Sequence, residues 1–363
     1  MNDILELKEW KGDNLHIDSD IGRLDGFNKT WNFIVTERES GKTSLLWKKV
    51  YNAFKRTGRP SIIMRRFQSD ISDIYVSSIE HVINKFTEQN FHFEYKKEEM
   101  KKGGQMDLKI GGKVFCRLIG LNTPLSRLKL SILKDVRYFM YDEFICNKRI
   151  GEKYLTDEPL QIKELYTTYR REASTPPKIY FFGNPYSLFN PFFSDKNVPT
   201  NELYPGALFA KDDYAVFCYQ IKPELKAKIL AENPLYEFDD TYKRYAFDGQ
   251  AVQDANIRLS SRQPEGFKLE FVLKLHGKCV GVYHGFNIEE RLFYWAKKID
   301  ESTVGKRRDI MCFDFGDMAD KTVLFATGNK QLYYSFKQAI ERRLIAFASI
   351  EESWLIEEIY QNI

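Results

Sequence analysis

The stretch Thr36–Thr43 has the sequence TERESGKT and follows the apolar run Trp31–Val35, WNFIV. A helical pattern of apolar residues begins directly after it. An apolar strand, a loop ending in Gly-Lys-Ser/Thr and a helix form the context in which a phosphate-binding loop works. In such a loop Lys42 reaches the β- and γ-phosphates of a nucleotide, and the Thr43 hydroxyl binds Mg²⁺. Because Thr36 stands where the usual first glycine would be, the loop is an incomplete match, and its meaning depends on the rest of the chain.

Three further residues of this loop are candidates for nucleotide contacts. The backbone N–H groups of Ser40 and Gly41 would face the phosphates, since loops of this kind and helix N-termini attract anions. Arg38 is unusual, because the backbone geometry of the loop does not require a cation there. Arg38 would add positive charge beside the phosphates or sense the state of the nucleotide.

A second apolar strand further along the chain ends in two acids. Residues 136–141, VRYFMY, are followed by Asp142 and Glu143. In a nucleotide hydrolase of this type Asp142 would hold Mg²⁺, and Glu143 would act as general base on the attacking water. A strand that merely ends in surface acids is the alternative for an isolated Asp-Glu pair. The order of a GKT loop followed by an Asp-Glu strand favours a nucleoside triphosphatase.

Two positions after this strand have both a functional and an ordinary explanation. Asn184 follows the apolar run 178–182, KIYFF, at a place suited to sensing a γ-phosphate, but Gly-Asn-Pro is also a common turn. Arg170 and Arg171 end a helical pattern. A cation there would reach the γ-phosphate of a neighbouring subunit as an arginine finger, or would compensate the helix dipole.

The strand and helix patterns alternate through the first part of the chain. This order predicts an α/β fold over residues 1–200, a P-loop ATPase domain with a mostly parallel sheet and helices on both faces. Residues 201–264 are rich in Asp, Asn, Pro and Tyr and predict a linker or lid subdomain. Residues 265–363 predict a second domain that begins with a hairpin over 267–284. Further strands are predicted at 308–315, 322–327 and 331–334, and a helix at 350–360.

Composition sets broad limits on function. The chain has 363 residues, of which 43% are hydrophobic and 29% charged, and its net charge is +4. These values are ordinary for a globular protein, and any nucleic-acid contact must come from local basic patches. No run of about 18 apolar residues is present, so no membrane span is expected. The first residues lack the apolar segment of a signal peptide, and we expect none.

The residues around these motifs resemble the packaging ATPases of phi29-like phages, which are terminase-like motor proteins of the ASCE class. The shared features are a loop pattern at Asn32–Thr43, an Arg-Arg segment at Ile62–Phe67, an Asp-Glu-Phe-Ile block at Asp142–Ile145 and a run at Asn184–Phe193 that begins with Asn184 and ends in Asn-Pro-Phe-Phe. Arg170 follows the Asp-Glu block at the spacing of that family. The rest of the chain resembles this family mainly in length and in the general pattern of its sequence.

This resemblance implies an ATP- and Mg²⁺-dependent motor that translocates double-stranded viral DNA into a preformed procapsid. The subunits would form a homo-oligomeric, pentameric ring in the host cytoplasm, transiently at the portal of the procapsid. A structural packaging RNA is a further candidate partner. The resemblance makes Arg170 a finger acting in trans and Lys129 a second cation that acts across the subunit interface. Arg38, and Arg65 or Arg66, become candidates for phosphate-binding or cis-regulatory cations.

The resemblance also implies that the C-terminal domain is an RNase H-like α/β fold. A working nuclease of that fold needs several carboxylates that converge on two metal ions. The first strand, 268–275, offers only Glu270, although Asp314, Asp317 and Asp320 follow. We therefore expect a vestigial nuclease that grips a partner and does not cut DNA.

Two other functions compete with a packaging ATPase. One is a terminase large subunit with an active metal-dependent nuclease, which the missing acid of the first strand and the short chain disfavour. The other is a nucleic-acid-binding module without enzymatic activity, in which the GKT sequence is accidental. Nucleotide binding that depends on Lys42 would distinguish the ATPase from the binding module.

Overall fold

The architecture comes from a computed structural model with two compact units. The structure describes residues 7–11, 16–147, 151–187, 190–199, 202–232, 260–275, 277–286, 291–302, 311–315, 329–342, 344–349, 352–356 and 359. The units are Met1–Gln253 and Asp254–Ile363. Each has its own sheet, and the described GKT loop and Asp-Glu strand both belong to the first unit.

The first unit is built on an eight-stranded sheet of order β3-β4-β2-β5-β6-β1-β8-β7. The six inner strands are parallel, and β3 and β7 are antiparallel edges. The central strand β1 is buried along its whole length, as expected for a parallel strand covered on both faces. The strands are β1 (Trp31–Thr36), β2 (Ser61–Arg65), β3 (Gln105–Ile110), β4 (Lys113–Gly120), β5 (Tyr138–Asp142), β6 (Lys178–Gly183), β7 (Leu208–Lys211) and β8 (Tyr214–Tyr219).

Helices cover both faces of this sheet. Apolar residues of α2, α3 and α8 pack on one face, and those of α5, α6 and α7 pack on the other. Short 3₁₀ turns lie at Ile17–Ser19 and Gln68–Asp70. The helices are α1 (Ile21–Asp25), α2 (Lys42–Thr57), α3 (Asp73–Thr87), α4 (Lys97–Gly103), α5 (Leu125–Leu128), α6 (Glu158–Arg170), α7 (Pro191–Asp195) and α8 (Pro223–Glu232).

The predicted α/β class with a mostly parallel sheet is confirmed. The strands predicted at 31–35, 136–141 and 178–182 correspond to β1, β5 and β6. The segment 201–264, which we predicted to be a linker or lid, begins inside the large sheet. There β8 pairs in parallel with β1 from Trp31↔Tyr214 to Thr36↔Tyr219, and β7 pairs with β8. Residues 208–219 therefore help to position the phosphate loop.

The second unit contains a five-stranded sheet of order β12-β9-β10-β11-β13. The predicted hairpin is confirmed, since β9 and β10 pair antiparallel from Lys278↔Leu275 onward. The described elements are β9 (Lys268–Leu275), β10 (Lys278–Phe286), β11 (Leu292–Ile299), β12 (Met311–Asp314), α9 (Lys330–Glu341) and β13 (Ile345–Phe347). The RNase H-like assignment of this unit stays a prediction.

One predicted strand of this unit is wrong. Residues 331–334 lie in α9, in which Phe336 and Ala339 are buried and Tyr334 is 59% exposed. The burial of residues three apart matches a helix, whereas a strand would bury alternate residues. The predicted strand at 322–327 lies outside the described residues, and the described part of the predicted helix at 350–360 is helical from 352 to 356.

Among the described helices, none combines the length and the apolar character needed to cross a membrane.

Candidate functional site

The phosphate-loop sequence forms a tight turn between β1 and α2. Gly41 is the residue before α2 and has a φ of 89°, in the left-handed region that favours glycine. A Cβ atom on Gly41 would lie 3.1 Å from the His16 side chain. The Ile17 N–H donates to the Ser40 carbonyl at 3.1 Å, so the N-terminal segment also packs on the loop. The backbone conformation favours glycine here, and a Cβ atom would also press on the His16 side chain.

Lys42 folds back over its own loop. Its Nζ donates hydrogen bonds to the Thr36 carbonyl at 3.1 Å and the Glu37 carbonyl at 2.6 Å. Burial lowers the pKa of Lys42 to about 8, and the carboxylate of Asp142 is the strongest influence in the opposite direction. The ammonium group is thus held at the loop by carbonyl dipoles that a nucleotide phosphate could replace.

Several polar atoms around the loop are suited to a ligand. The Thr36 hydroxyl, the Ser40 hydroxyl and the Asn184 carbonyl oxygen are buried and have no hydrogen-bond partner among the described residues. Buried polar atoms without partners are rare in proteins and call for an explanation. Thr43 is exposed in the first turn of α2, where its hydroxyl is accessible. A hydroxyl and the nearby carboxylate of Asp142 are oxygen ligands of the kind that Mg²⁺ prefers.

Asp142 and Glu143 lie at the carboxyl edge of the same sheet, at the end of β5. Arg65, at the end of β2, donates to Asp142 Oδ2 at 3.2 Å and to Glu143 Oε2 at 2.6 Å. Burial raises the pKa of Asp142, and the Arg65 guanidinium opposes this effect. The Glu143 side chain is 57% exposed, so its second oxygen is open to water. One arginine therefore contacts both the predicted Mg²⁺ ligand and the predicted general base.

A second arginine holds the main chain at Glu143 and at the residue after it. Arg66 donates to the Glu143 carbonyl at 3.2 Å and the Phe144 carbonyl at 2.8 Å. Its Nε lies 3.2 Å from both carboxylate oxygens of Glu158, the first residue of α6. Tyr141 also donates to Glu158. Of these two consecutive arginines, Arg65 contacts the side chains of the acids and Arg66 contacts the main chain.

Arg38 and Asn184 meet through a tyrosine. Arg38 Nη2 and Asn184 Nδ2 each donate to the Tyr186 hydroxyl at 3.0 Å. Asn184 directly follows β6, which lies between β1 and β5 in the sheet. The structure therefore brings together the predicted residues Arg38, Ser40, Gly41, Lys42, Thr43, Asp142, Glu143 and Asn184 at one edge of the sheet.

Arg170 and Lys129 lie elsewhere. Arg170 is exposed at the last position of α6, whose first residue, Glu158, is behind Glu143. Because α6 has 13 residues, its ends are about 18 Å apart at 1.5 Å per residue. The end near Arg170 packs beside the starts of β5 and β6, where the Asp135 N–H donates to the Glu172 carbonyl at 2.9 Å. Lys129 forms an ion pair of 2.8 Å with Glu164 on the outer face of α6.

Sequence reasoning missed two residues of this site. Tyr186 was part of a recognised segment but had no assigned role, and Glu158 was not singled out. An acidic residue in the first turn of a helix is common because of the helix dipole, so Glu158 carried no special signal. Its role depends on Arg66, which is distant in the sequence.

Comparisons with known proteins identify the family and the fold of the chain. A family model described as "Podovirus DNA encapsidation protein (Gp16)" matches residues 20–353. The solved structure of the Phi-28 gp11 DNA packaging motor has a TM-score of 0.62 at 14% identity, with 94% of this chain and 96% of that chain covered. The bacteriophage Phi-29 viral genome packaging motor assembly has a TM-score of 0.60 at 16% identity, covering 94% and 98%. At these identities the two structures show a shared fold. No curated protein matches the chain.

Proposed function

Because the chain belongs to the Podovirus DNA encapsidation protein (Gp16) family, we propose that it is the ATP-hydrolysing subunit of a motor that moves double-stranded DNA into a preformed procapsid. The observation that carries this proposal is the meeting of two distant motifs. The GKT loop and the Asp-Glu pair lie at the same sheet edge, and the charge of Asp142 acts directly on Lys42. An accidental GKT sequence would have no reason to face these acids.

Each residue of the site has a defined task in hydrolysis. The loop N–H groups and Lys42 bind the β- and γ-phosphates, and Lys42 exchanges its loop carbonyls for phosphate oxygens. Thr43 and Asp142 would hold Mg²⁺, which neutralises the charge that develops on the phosphates. Glu143 accepts a proton from the attacking water through its exposed carboxylate. Arg38 and Asn184, which both bind the Tyr186 hydroxyl, would contact the γ-phosphate.

Arg170 completes the site of a neighbouring subunit in this proposal. It lies at the far end of α6 from its own Glu143, so it is suited to act in trans. Lys129 lies on the outer side of α6 and would act across the same subunit interface. A homo-oligomeric, pentameric ring supplies such an interface at every nucleotide site.

Double-stranded DNA as a partner is supported by family membership and by the similar structures, which are DNA-packaging motors. The portal of the procapsid and a structural packaging RNA are further partners in this proposal. The working location is the host cytoplasm at the procapsid. DNA would be held mainly through its phosphates, so binding should weaken with salt. The C-terminal unit would grip one of these partners without cutting DNA.

Phosphate release by the purified full-length chain tests the proposal. We expect Mg²⁺-dependent ATP hydrolysis in the wild type, and loss of ATP binding in Lys42→Ala. Glu143→Gln should bind ATP and fail to hydrolyse it, because the amide cannot accept the proton. Lys113→Ala, at the exposed first residue of β4, is the matched lysine control. Unchanged ATP binding in Lys42→Ala would contradict the proposal.

A further inference from the structure

Glu143 has an unusual backbone for a residue with a long side chain. Its φ is +58°, in the left-handed region that non-glycine residues seldom adopt. Such a conformation is kept only where the surrounding structure enforces it. The side chain is 57% exposed, so packing does little to orient it. The direction from which this carboxylate acts is therefore set by its main chain together with the Arg65 hydrogen bond to Oε2.

Arg66 is the group that holds this main chain. Its guanidinium donates to two consecutive carbonyls, those of Glu143 and Phe144. The planar fork of an arginine binds such a pair in one orientation only. On the other side of the same turn, the Phe144 N–H donates to the Phe182 carbonyl of β6 at 3.1 Å. The turn is thus fixed between β2 and β6.

Glu158 in turn fixes Arg66. The carboxylate is fully buried, and Arg66 is 6% exposed. Besides the Arg66 Nε, the carboxylate accepts hydrogen bonds from the Tyr141 hydroxyl and from the Leu155 N–H, the latter at 2.9 Å. Its two oxygens therefore have partners from the residue after β2, from β5 and from the segment before α6.

A buried ion pair is costly to desolvate, and apolar residues of similar size often stabilise a fold as well or better. Packing alone therefore does not explain a charged pair at this position. The contacts that an apolar pair could not make are the two hydrogen bonds to the carbonyls beside the base. This is the chemical reason for having a guanidinium, and a carboxylate to orient it, behind Glu143.

We propose that Glu158 is a positioning residue for hydrolysis: through Arg66 it fixes the backbone of Glu143, and with it the place from which the catalytic carboxylate acts on water. The proposal rests on the ATPase function proposed above. It predicts a defect in turnover and not in nucleotide binding, because the phosphate loop does not contact either member of the pair among the described hydrogen bonds.

The test compares kcat with the Kd of a fluorescent ATP analogue in the full-length chain. Glu158→Gln leaves the Arg66 charge buried without its carboxylate, so this variant will also lose stability. The double variant Arg66→Met/Glu158→Gln removes both charges and relieves that penalty. In both variants we expect kcat to fall by about 30- to 100-fold, since misplacement of a catalytic group by 1 Å costs this much. The Kd should stay within about twofold of the wild type.

A second buried ion pair of the same unit is the control. Arg117 and Asp107 pair at 2.6 Å between β4 and β3, with side-chain exposures of 7% and 17%. Asp107→Asn should lower the melting temperature, because it too leaves an arginine without its carboxylate. Its kcat should stay within about twofold of the wild type.

The outcomes separate the two proposals. If the folded double variant turns over ATP at the wild-type rate, Glu158 is a structural residue and the inference is wrong. The inference is also wrong if the loss of kcat for a given loss of melting temperature is the same as in Asp107→Asn. If the wild-type chain itself neither binds nor hydrolyses ATP, or Glu143→Gln is fully active, the proposed function fails instead.

Discussion

Arg38 of the phosphate loop and Tyr186 of the segment after β6 are joined by a hydrogen bond of 3.0 Å between Nη2 and the phenol hydroxyl. The same hydroxyl accepts a hydrogen bond from Asn184 Nδ2 at 3.0 Å. A single oxygen thus connects the extra cation of the loop with the amide predicted to sense the γ-phosphate. Tyr186 is 8% exposed, so water cannot readily replace it.

Tyr186→Phe is expected to impair hydrolysis and to reduce stability. The substitution keeps the ring and leaves the Asn184 amide without its acceptor, at a cost of about 1–3 kcal/mol in the free energy of unfolding. We expect kcat to fall about tenfold, because Arg38 and Asn184 lose their common anchor. Urea unfolding and phosphate release measure the two effects. Tyr204→Phe is the control, since Tyr204 is 62% exposed; equal behaviour of the two variants would argue against the connection.

Nucleotide affinity should decrease as the pH rises through 8. Burial lowers the pKa of Lys42 to about 8 in the absence of nucleotide. Bound phosphates favour the charged ammonium of Lys42. Below pH 8 Lys42 is already charged, so nucleotide binding takes up no proton, whereas above pH 8 Lys42 must gain a proton each time nucleotide binds. The Kd should then rise toward tenfold per pH unit. Titrations at pH 7, 8 and 9 measure this, and Lys42→Arg should show a flat profile because arginine stays charged.

Removal of Arg65 should make stability depend more strongly on Mg²⁺. Without its guanidinium, the adjacent carboxylates of Asp142 and Glu143 lose the cation that pairs with both of them. In EDTA we expect Arg65→Gln to melt several degrees below the wild type. Addition of Mg²⁺ should raise the melting temperature of Arg65→Gln by more than it raises that of the wild type. Thermal melts with and without Mg²⁺ provide the measurement.

Arg59→Gln is the matched control for Arg65, because Arg59 pairs with Asp135 at 3.1 Å at the opposite end of β2. It should lower the melting temperature without any added response to Mg²⁺. A response equal to that of Arg65→Gln would show that the effect does not arise at the Asp142–Glu143 pair.

Mixed assemblies test whether Arg170 acts on its neighbour. Arg170→Ala and Glu143→Gln should each be nearly inactive alone, because one lacks the finger and the other lacks the base. In an equal mixture, about a quarter of the interfaces would join an intact base to an intact finger, so activity should reappear. Arg171→Ala, at the adjacent exposed position, should remain active by itself. Absence of any recovery in mixtures that do assemble would exclude action in trans.

Much of the first unit could be predicted from short apolar runs and their order. The runs before the GKT loop and before Asp142-Glu143 are buried parallel strands, whose character is visible in a local window. The strands β7 and β8 were not predicted, although 214–219, YAVFCY, is an apolar run, because the surrounding polar and proline-rich sequence suggested a connector. In α9, Tyr333 and Tyr334 favoured a strand locally, and the wider helical spacing decided the structure.

The site was less predictable where it depends on contacts between distant residues. The motif residues were identified because their spacing within one loop or at one strand end carries the chemistry. The pairing of Glu158 with Arg66 joins α6 to the end of β2, and no local pattern marks it. Likewise, Tyr186 acquires its role only when Arg38 and Asn184 come within hydrogen-bond distance of it.

The single continuous helix α6 has a mechanical consequence. At one end Glu158 grips the arginine behind the base, and at the other end Arg170 is presented to the outside. A helix of this length is a stiff rod, about 18 Å long. In a ring, contact with the adjoining subunit at the Arg170 end would tilt the helix. The tilt would shift Glu158 at the other end, which lies behind the water-activating Glu143. The timing of hydrolysis would then depend on the tilt of this one helix.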